Sequence, residues 1–313
     1  YIQKGQLIIL ESTTYPGCTE EIFIKYLRNK FFIDKEIFLS YSPERENPGD
    51  SQFNFKNTPK VVSGIGNNSL KICDNFYKLI TKKTVRSPSI KIAEMSKLLE
   101  NIYRSINIAL INELKIATTK LDINIYDVIK IASTKPFGFQ KFFPGPGTGG
   151  HCIPIDPIYF SWLSKKKGVN VKFIELSSKI NQIRTKWIIK KLKAIAKKIS
   201  NPKILLLGLS YKKNIEDTRE SASVKILEDL LKQNYKIDYS DPFNKKITLN
   251  YRKKRKFLFS KKFDKKIIKK YNLIIIATDH DKFDYSILKS SNKTIVDLRG
   301  KFKNIKSKYI YQL

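Results

Sequence analysis

Chemistry is most concentrated in one stretch, Phe142-Phe143-Pro144-Gly145-Pro146-Gly147-Thr148-Gly149-Gly150-His151-Cys152-Ile153-Pro154-Ile155-Asp156-Pro157. Its glycines let the backbone approach a ligand closely and turn N–H groups toward phosphate oxygens. Cys152 ends this loop just ahead of a predicted helix, where positive potential favours a thiolate nucleophile. A small buried thiol in a glycine-rich turn is the structural alternative. Asp156-Pro157 also suit an N-cap and a first helical residue.

Four further segments offer reactive or binding groups. Lys97 and Asn101 stand at i and i+4 on one helical face. An ammonium beside a carboxamide can hold an oxyanion, although the same pair also makes an ordinary solvated face. Glu11-Ser12-Thr13-Thr14-Tyr15-Pro16-Gly17, Ser42-Pro43-Glu44-Arg45, and the run from Gly208 through Tyr211-Lys212 to Asp217-Thr218-Arg219-Glu220-Ser221 each follow a predicted strand. Open α/β sheets bind ligands at such strand ends. Gly64-Ile65-Gly66 has the look of a dinucleotide turn, but Ser69 replaces the third glycine and no acid follows at ribose-binding distance, so a plain βα turn is expected. Cys18 and Cys73 read as buried free thiols and His280 as a loop histidine. Two His and three Cys offer no zinc-type spacing, so no metal is expected.

The elements that must hold these groups follow from hydrophobic periodicity. Leu7 to Leu10, Ile37 to Leu39 and Lys60 to Ser63 read as strands, with helices from Thr19 through Leu27 and from Ser69 to Leu79. Strand alternating with helix predicts a parallel α/β sheet. From Ile90 to Thr134 the pattern turns helical, and Ile188, Leu192, Ile195 and Ile199 mark one face of a long helix ended by Asn201-Pro202. A second α/β unit follows, with strands at Ile204–Leu207, Ile237–Tyr239, Leu273–Ala277 and Thr294–Val296, and a helix carrying Val224, Leu227 and Leu231. Arg252 to Lys256 is expected to be an exposed basic segment.

The 313 residues carry a net charge of +33, which can mark a nucleic-acid binder. Only nine of the 61 cations are Arg, the better base reader, and the Lys are spread along the chain among Ile and Asn. Surface drift under AT-rich codon usage or general solvation is the expected account, with attraction of phosphorylated substrates and nucleic-acid binding as the alternatives, and neither nucleic acid nor membrane is expected as a partner. The apolar runs are too short to span a bilayer, no secretory signal is visible, and the odd, scattered cysteines suit a reducing, cytoplasmic setting. The start at Tyr1, just ahead of a strand, reads as that of a fragment.

Taken together and in this order, the five segments resemble the UDP-glucose and UDP-N-acetylhexosamine 6-dehydrogenases, over essentially the whole chain. The resemblance implies two Rossmann-like parallel-sheet domains, the first incomplete, joined by a helical region with a long connecting helix. The expected divisions are 1–87 for part of the NAD domain, 88–200 for a central dimerisation region with the Cys loop, and 201–313 for UDP-sugar binding. It implies oxidation of a sugar C6 alcohol to the carboxylate with NAD as cofactor, a UDP-sugar substrate and a homodimer formed through the helical region. By the same resemblance Cys152 is the nucleophile, Lys97 and Asn101 hold the oxyanion, Asp156 assists proton transfer or positions water, Glu44 is a general base and Thr13 holds water near the nicotinamide. Thr13, Glu44 and Arg219 fall on the cofactor side. Arg45, Lys97, Phe143, Gly147, Gly149, Gly150, Tyr211, Lys212 and Arg299 fall on the substrate.

The run from His151 to Pro157, with Glu-Ser-Thr-Thr-Tyr-Pro-Gly and Ser-Pro-Glu-Arg, favours UDP-N-acetylglucosamine and a role in surface-polysaccharide synthesis. UDP-glucose, UDP-N-acetylmannosamine and UDP-N-acetylgalactosamine compete. The family's opening strand and glycine turn are not found, so the N-terminal half of the NAD domain is expected to be missing and this chain alone to be inactive. Lys213 and Ala222 stand where Pro is frequent in the family, and Gly300 where Asn is common. A non-catalytic UDP-sugar-binding or dimerisation module is the alternative from another class.

Overall fold

The computed structural model describes residues 1–47, 53–251, 254–305 and 307–313. Two compact units divide the chain: Tyr1–Arg104 with Ile155–Ile174, and Ser105–Pro154 with Glu175–Leu313. The first contains β1 (Leu7–Leu10), a helical stretch Glu20–Ile24 running into α1 (Lys25–Leu27), β2 (Phe38–Tyr41), β3 (Lys60–Gly64), α2 (Asn67–Lys78) and β4 (Thr84–Arg86). The sheet order is β1-β2-β3-β4. β1 pairs β2 and β3 pairs β4 in parallel, but β2 meets β3 antiparallel through Ser40–Gly64 and Tyr41–Ser63. The expected all-parallel first sheet is therefore mixed. Hydrophobic runs report burial on two faces and say nothing of strand direction.

The Gly64-Ile65-Gly66 turn is a plain βα turn, as expected. Asp34 closes the start of α2, its carboxylate accepting from Ser69 N–H at 2.6 Å and Asn68 N–H at 3.3 Å. A helix N-terminus already holding a carboxylate offers little to a phosphate.

The helical region comprises α3 (Ile90–Lys120), α4 (Ile125–Ala132), α5 (Cys152–Lys166) and α6 (Lys172–Ala196). Asn124 caps α4, accepting from Tyr126 N–H. The rest of the second unit holds β5 (Lys203–Leu207), α7 (Ala222–Lys232), β6 (Lys236–Ser240), β7 (Lys246–Tyr251), β8 (Lys254–Phe259), α8 (Lys265–Ile268), β9 (Leu273–Ile276), α9 (Ser286–Lys289), β10 (Thr294–Asp297) and β11 (Ile310–Gln312). Its five-stranded sheet runs β11-β10-β9-β5-β6, parallel throughout. Ile204 and Leu206 enter one core with α6 and α7, while Leu205 and Leu207 enter another with Phe283 and Phe302. That alternation is how a strand covered on both faces buries a continuous apolar run.

Sequence periodicity did not mark β4, β11 or the β7–β8 hairpin. Of the expected basic segment, Lys254 to Lys256 open β8, and Arg252 and Lys253 lie outside the described residues.

Candidate active site

In the first unit the site residues gather at the carboxyl ends of β1 and β2 and along α3. Glu94 is fully buried and accepts three hydrogen bonds: Gly17 N–H at 2.5 Å, Thr19 N–H at 2.9 Å and the Thr19 hydroxyl at 2.7 Å. These bonds fix the end of the loop that carries Thr13. Burial pushes the Glu94 carboxyl above its ordinary value despite those donors. One turn and two turns further along α3 stand Lys97 and Asn101. Asn101 is buried and its amide donates to Asp156 at 2.6 Å. Asp156 is itself 1% exposed. The N-cap reading of Asp156 fails: α5 already begins at Cys152, so Asp156 sits in its second turn and faces Asn101.

Glu44 follows β2 with a half-exposed carboxylate that accepts from Arg45 N–H and Glu46 N–H. Lys60, 3% exposed, reaches Glu11 at 2.9 Å and Glu44 at 3.5 Å. Burial alone would raise the Glu11 carboxyl; hydrogen bonds from Tyr77 and Lys60, with the Lys60 charge, bring it below its ordinary value. Arg45 pairs with Glu100 at 2.8 Å and donates to Pro59 O.

The second unit holds the glycine loop. Cys152 is exposed at the start of α5, so the buried-thiol alternative fails for it. Cys18 and Cys73 are buried, as expected. The loop lies on the segment after β5: Gly150 N–H donates to Arg219 O at 2.9 Å, and Gly149 and Gly150 pack against Tyr211 so closely that neither has room for a side chain. The Arg219 guanidinium grips Asp217 at 2.7 Å. Gly145 lies on Arg299, whose Nε donates to Asp279 at 3.0 Å. Gly147 packs on Thr185 and Ala222. Phe143 stacks on Tyr126 at 6.5 Å, with Lys303 over both rings. Lys213 pairs with Asp281, and Gly300 has a φ of 69°, a conformation that Gly and Asn both tolerate. A β-carbon at Gly300 would collide with the Tyr126 ring, so packing here favours glycine.

Helices α3 and α6 hold the other side of this loop. Asn112 accepts from Gly145 N–H at 3.0 Å and donates to Asn181, Arg184 donates to Gly145 O at 3.0 Å, and Thr185 donates to Pro146 O at 2.8 Å. None of these four, nor Glu94 or Lys60, was singled out as a functional residue from sequence. The one available signal was for Glu94, which shares the α3 face of Lys97 and Asn101 by spacing. His280 is a loop residue but wholly buried, bonded to Asp241 and Asn214.

Family models match the chain in three consecutive blocks. Residues 1–81 match the NAD-binding domain, 91–183 the central domain and 205–304 the UDP-binding domain of the UDP-glucose/GDP-mannose dehydrogenase family. The chain belongs to this family.

Among its dehydrogenase relatives is a UDP-N-acetyl-D-glucosamine 6-dehydrogenase of Pseudomonas aeruginosa. It is 37% identical over 250 residues, spanning 77% of this chain and 58% of that protein. A UDP-N-acetyl-D-mannosamine dehydrogenase of Methanococcus vannielii is also 37% identical, over 77% of this chain and 54% of its own length. The solved UDP-N-acetyl-mannosamine dehydrogenase of Staphylococcus aureus superposes with a TM-score of 0.80 at 30% identity, covering 99% of this chain and 72% of that one. The chain spans a little over half the length of these curated relatives.

Residues 1–81 match the family's NAD-binding domain, so the expected lack of its N-terminal half is not borne out and the expected inactivity of this chain loses its support. That expectation rested on an opening strand, a glycine-rich turn and a ribose-binding acid that were not found, whereas the match extends over β1, β2, β3 and α2. Thr13 and Glu44 follow the neighbouring parallel strands β1 and β2, the edge at which such sheets receive a dinucleotide, and both are half-buried. Among the described residues no helix is long and apolar enough to cross a membrane.

Proposed function

We propose that this protein oxidises the C6 hydroxyl of a UDP-N-acetylhexosamine, UDP-N-acetylglucosamine first, to the uronate for surface-polysaccharide synthesis. The observation that carries this reading is the Gly-Gly-His-Cys-Ile-Pro-Ile-Asp-Pro run with Cys152 exposed at the head of α5. NAD supplies the hydride acceptor for both oxidations, with Thr13, Glu44 and Arg219 on its side. After the first oxidation the Cys152 thiolate adds to the C6 aldehyde, forming a C–S bond. The resulting thiohemiacetal loses a second hydride to become a thioester, and water releases the carboxylate and the thiol. Lys97 and Asn101 stabilise the oxyanion, and the Asn101–Asp156 bond keeps the carboxamide aimed. Glu44 takes the proton of the attacking water. Tyr211, Lys212, Arg299, Arg45 and Phe143 hold the UDP-sugar, with the loop around Gly147, Gly149 and Gly150 closing over it.

We also assign a homodimer, formed through the central region. Leu99, Tyr103, Leu110 and Leu114 are exposed along α3, with Leu121 just past its end, at alternating spacings of four and seven that put them on one face fit for a helix-to-helix contact. Acidic substitution at Leu110 and Leu114 should then yield monomers by sedimentation.

The enzyme assay uses NAD with UDP-N-acetylglucosamine and, because mannosamine dehydrogenases stand among the relatives, UDP-N-acetylmannosamine. The expected result is two NADH per sugar and no uronate from Cys152→Ala. A ratio of one, or undiminished uronate from that variant, defeats the mechanism. UDP binding without NAD reduction would instead identify a non-catalytic module.

A further inference from the structure

The sequence left His280 without a role, yet it is fully buried at the junction of three strands. Ser210 follows β5, Asp241 follows β6, and Thr278 and His280 follow β9; these strands are neighbours in the order β6-β5-β9. The chain leaves β5 to one side and returns to its other side, so this edge is the sheet's switch point, where ligands enter.

Both ring nitrogens are committed. Nδ1 accepts from Asn214 N–H at 2.9 Å. An acceptor carries no proton in the neutral ring, so the proton sits on Nε2, facing Asp241 Oδ2 at 3.2 Å and the Ser210 hydroxyl at 3.3 Å. Asp241 Oδ2 in turn accepts from Leu209 N–H at 2.7 Å, while its Oδ1 takes Phe243 N–H and Asn244 N–H at 2.8 Å. Thr278 donates to Ser210 O. The rings of Phe243 and Phe283 flank the imidazole at 5.1 and 5.7 Å. One buried Asp–His pair therefore ties down the segment 209–214 at both ends. Between those ties lie Tyr211, on which Gly149 and Gly150 rest, and Lys212.

We propose that His280 is a positioning residue of the UDP-sugar site, holding Ser210 and Asn214 so that Tyr211 and Lys212 are presented in one conformation. The inference rests on the UDP-sugar reading of this segment. Histidine suits the task because a single rigid ring supplies an acceptor on one edge and a donor on the other. Leucine supplies neither. Asparagine keeps an acceptor near the Nδ1 position, and glutamine keeps a polar group near Nε2 but leaves Asn214 N–H unanswered.

The test uses the full chain, with UDP titrated calorimetrically and KM measured separately for UDP-N-acetylglucosamine and for NAD. His280→Leu should raise the UDP Kd and the UDP-sugar KM by about tenfold or more, with the NAD KM within about twofold of wild type. His280→Asn should recover most of the loss. If His280→Leu does not fold, His280→Gln carries the test, with the same direction expected. A role confined to stability would lower the active fraction, and so kcat, leaving both KM values alone. Wild type that binds no UDP would overturn the UDP-site reading and this inference together. Wild type that binds UDP and reduces NAD, beside a Leu or Gln variant of equal UDP affinity, would overturn this inference alone.

Discussion

Gly150→Ala isolates the contact between the glycine loop and Tyr211. Gly150 has a φ of 83°, where an L-residue pays roughly 1–2 kcal/mol of backbone strain. A β-carbon built there stands 2.9 Å from Tyr211 Cζ, 3.0 Å from Cε2 and 3.2 Å from Cε1. All three contacts lie on one ring, so the ring must retreat by several tenths of an ångström, an overpacking cost of about 1–3 kcal/mol. The sum is about 2–5 kcal/mol, measured by urea unfolding. Removing the ring should relieve only the second part. In a double-mutant cycle with Tyr211→Ala, the coupling should be about 1–3 kcal/mol and the residual cost about 1–2. Because the displaced ring lies in the segment proposed to hold the UDP-sugar, Gly150→Ala should also raise the UDP-sugar KM. A loss below about 0.5 kcal/mol, or losses that simply add in the double variant, would refute the packing account.

Three other perturbations probe the buried polar contacts. Asp74 is fully buried; burial would raise its carboxyl, but hydrogen bonds from Lys78, Thr84 and Arg86 hold it at about 2. A folded value below the unfolded one stabilises above about pH 4 and is lost as pH falls toward 2. Lys78 and Arg86 are half-exposed and solvent-screened, so Asp74→Asn should cost only about 1 kcal/mol at pH 6, with the difference vanishing near pH 2 in a pH series of denaturation curves. Lys60→Met keeps the apolar stem over Phe55 and Tyr77 but removes the charge between Glu11 and Glu44; those carboxylates are half-exposed, so thermal unfolding should report about 1–2 kcal/mol. Thr185→Val preserves shape but deprives Pro146 O of its donor, and should cost about 1–2 kcal/mol and raise the UDP-sugar KM.

The second sheet was legible because its strands are covered on both faces and read as unbroken apolar runs, from Ile204 to Leu207 and from Leu273 to Ala277. α7 was legible through the apolar face of Val224, Leu227 and Leu231, and Ser221 caps it by accepting from Ser223 N–H. The β7–β8 hairpin was not. β7 alternates polar and apolar from Lys246 to Tyr251, but β8 closes on Phe257-Leu258-Phe259 with both Phe facing outward under Lys246, so its half of the hairpin lacks the pattern.

By itself the sequence determined which residues are candidates for the chemistry, Cys152 after its glycines and Lys97 four residues before Asn101, because loop chemistry and helical spacing are local properties. Tertiary structure alone decided that Asp156 answers Asn101 rather than a helix start, that β3 runs against β2, and that Glu94 holds a loop 75 residues away at Thr19. It also decided that His280, read as a loop histidine, is wholly buried and bonded to Asp241. Each of these is a pairing between distant segments, and a hydrogen bond between them leaves no periodic trace in either one. What selects such partners is the cost of burying a polar group unanswered, a cost that exists only once the chain has folded.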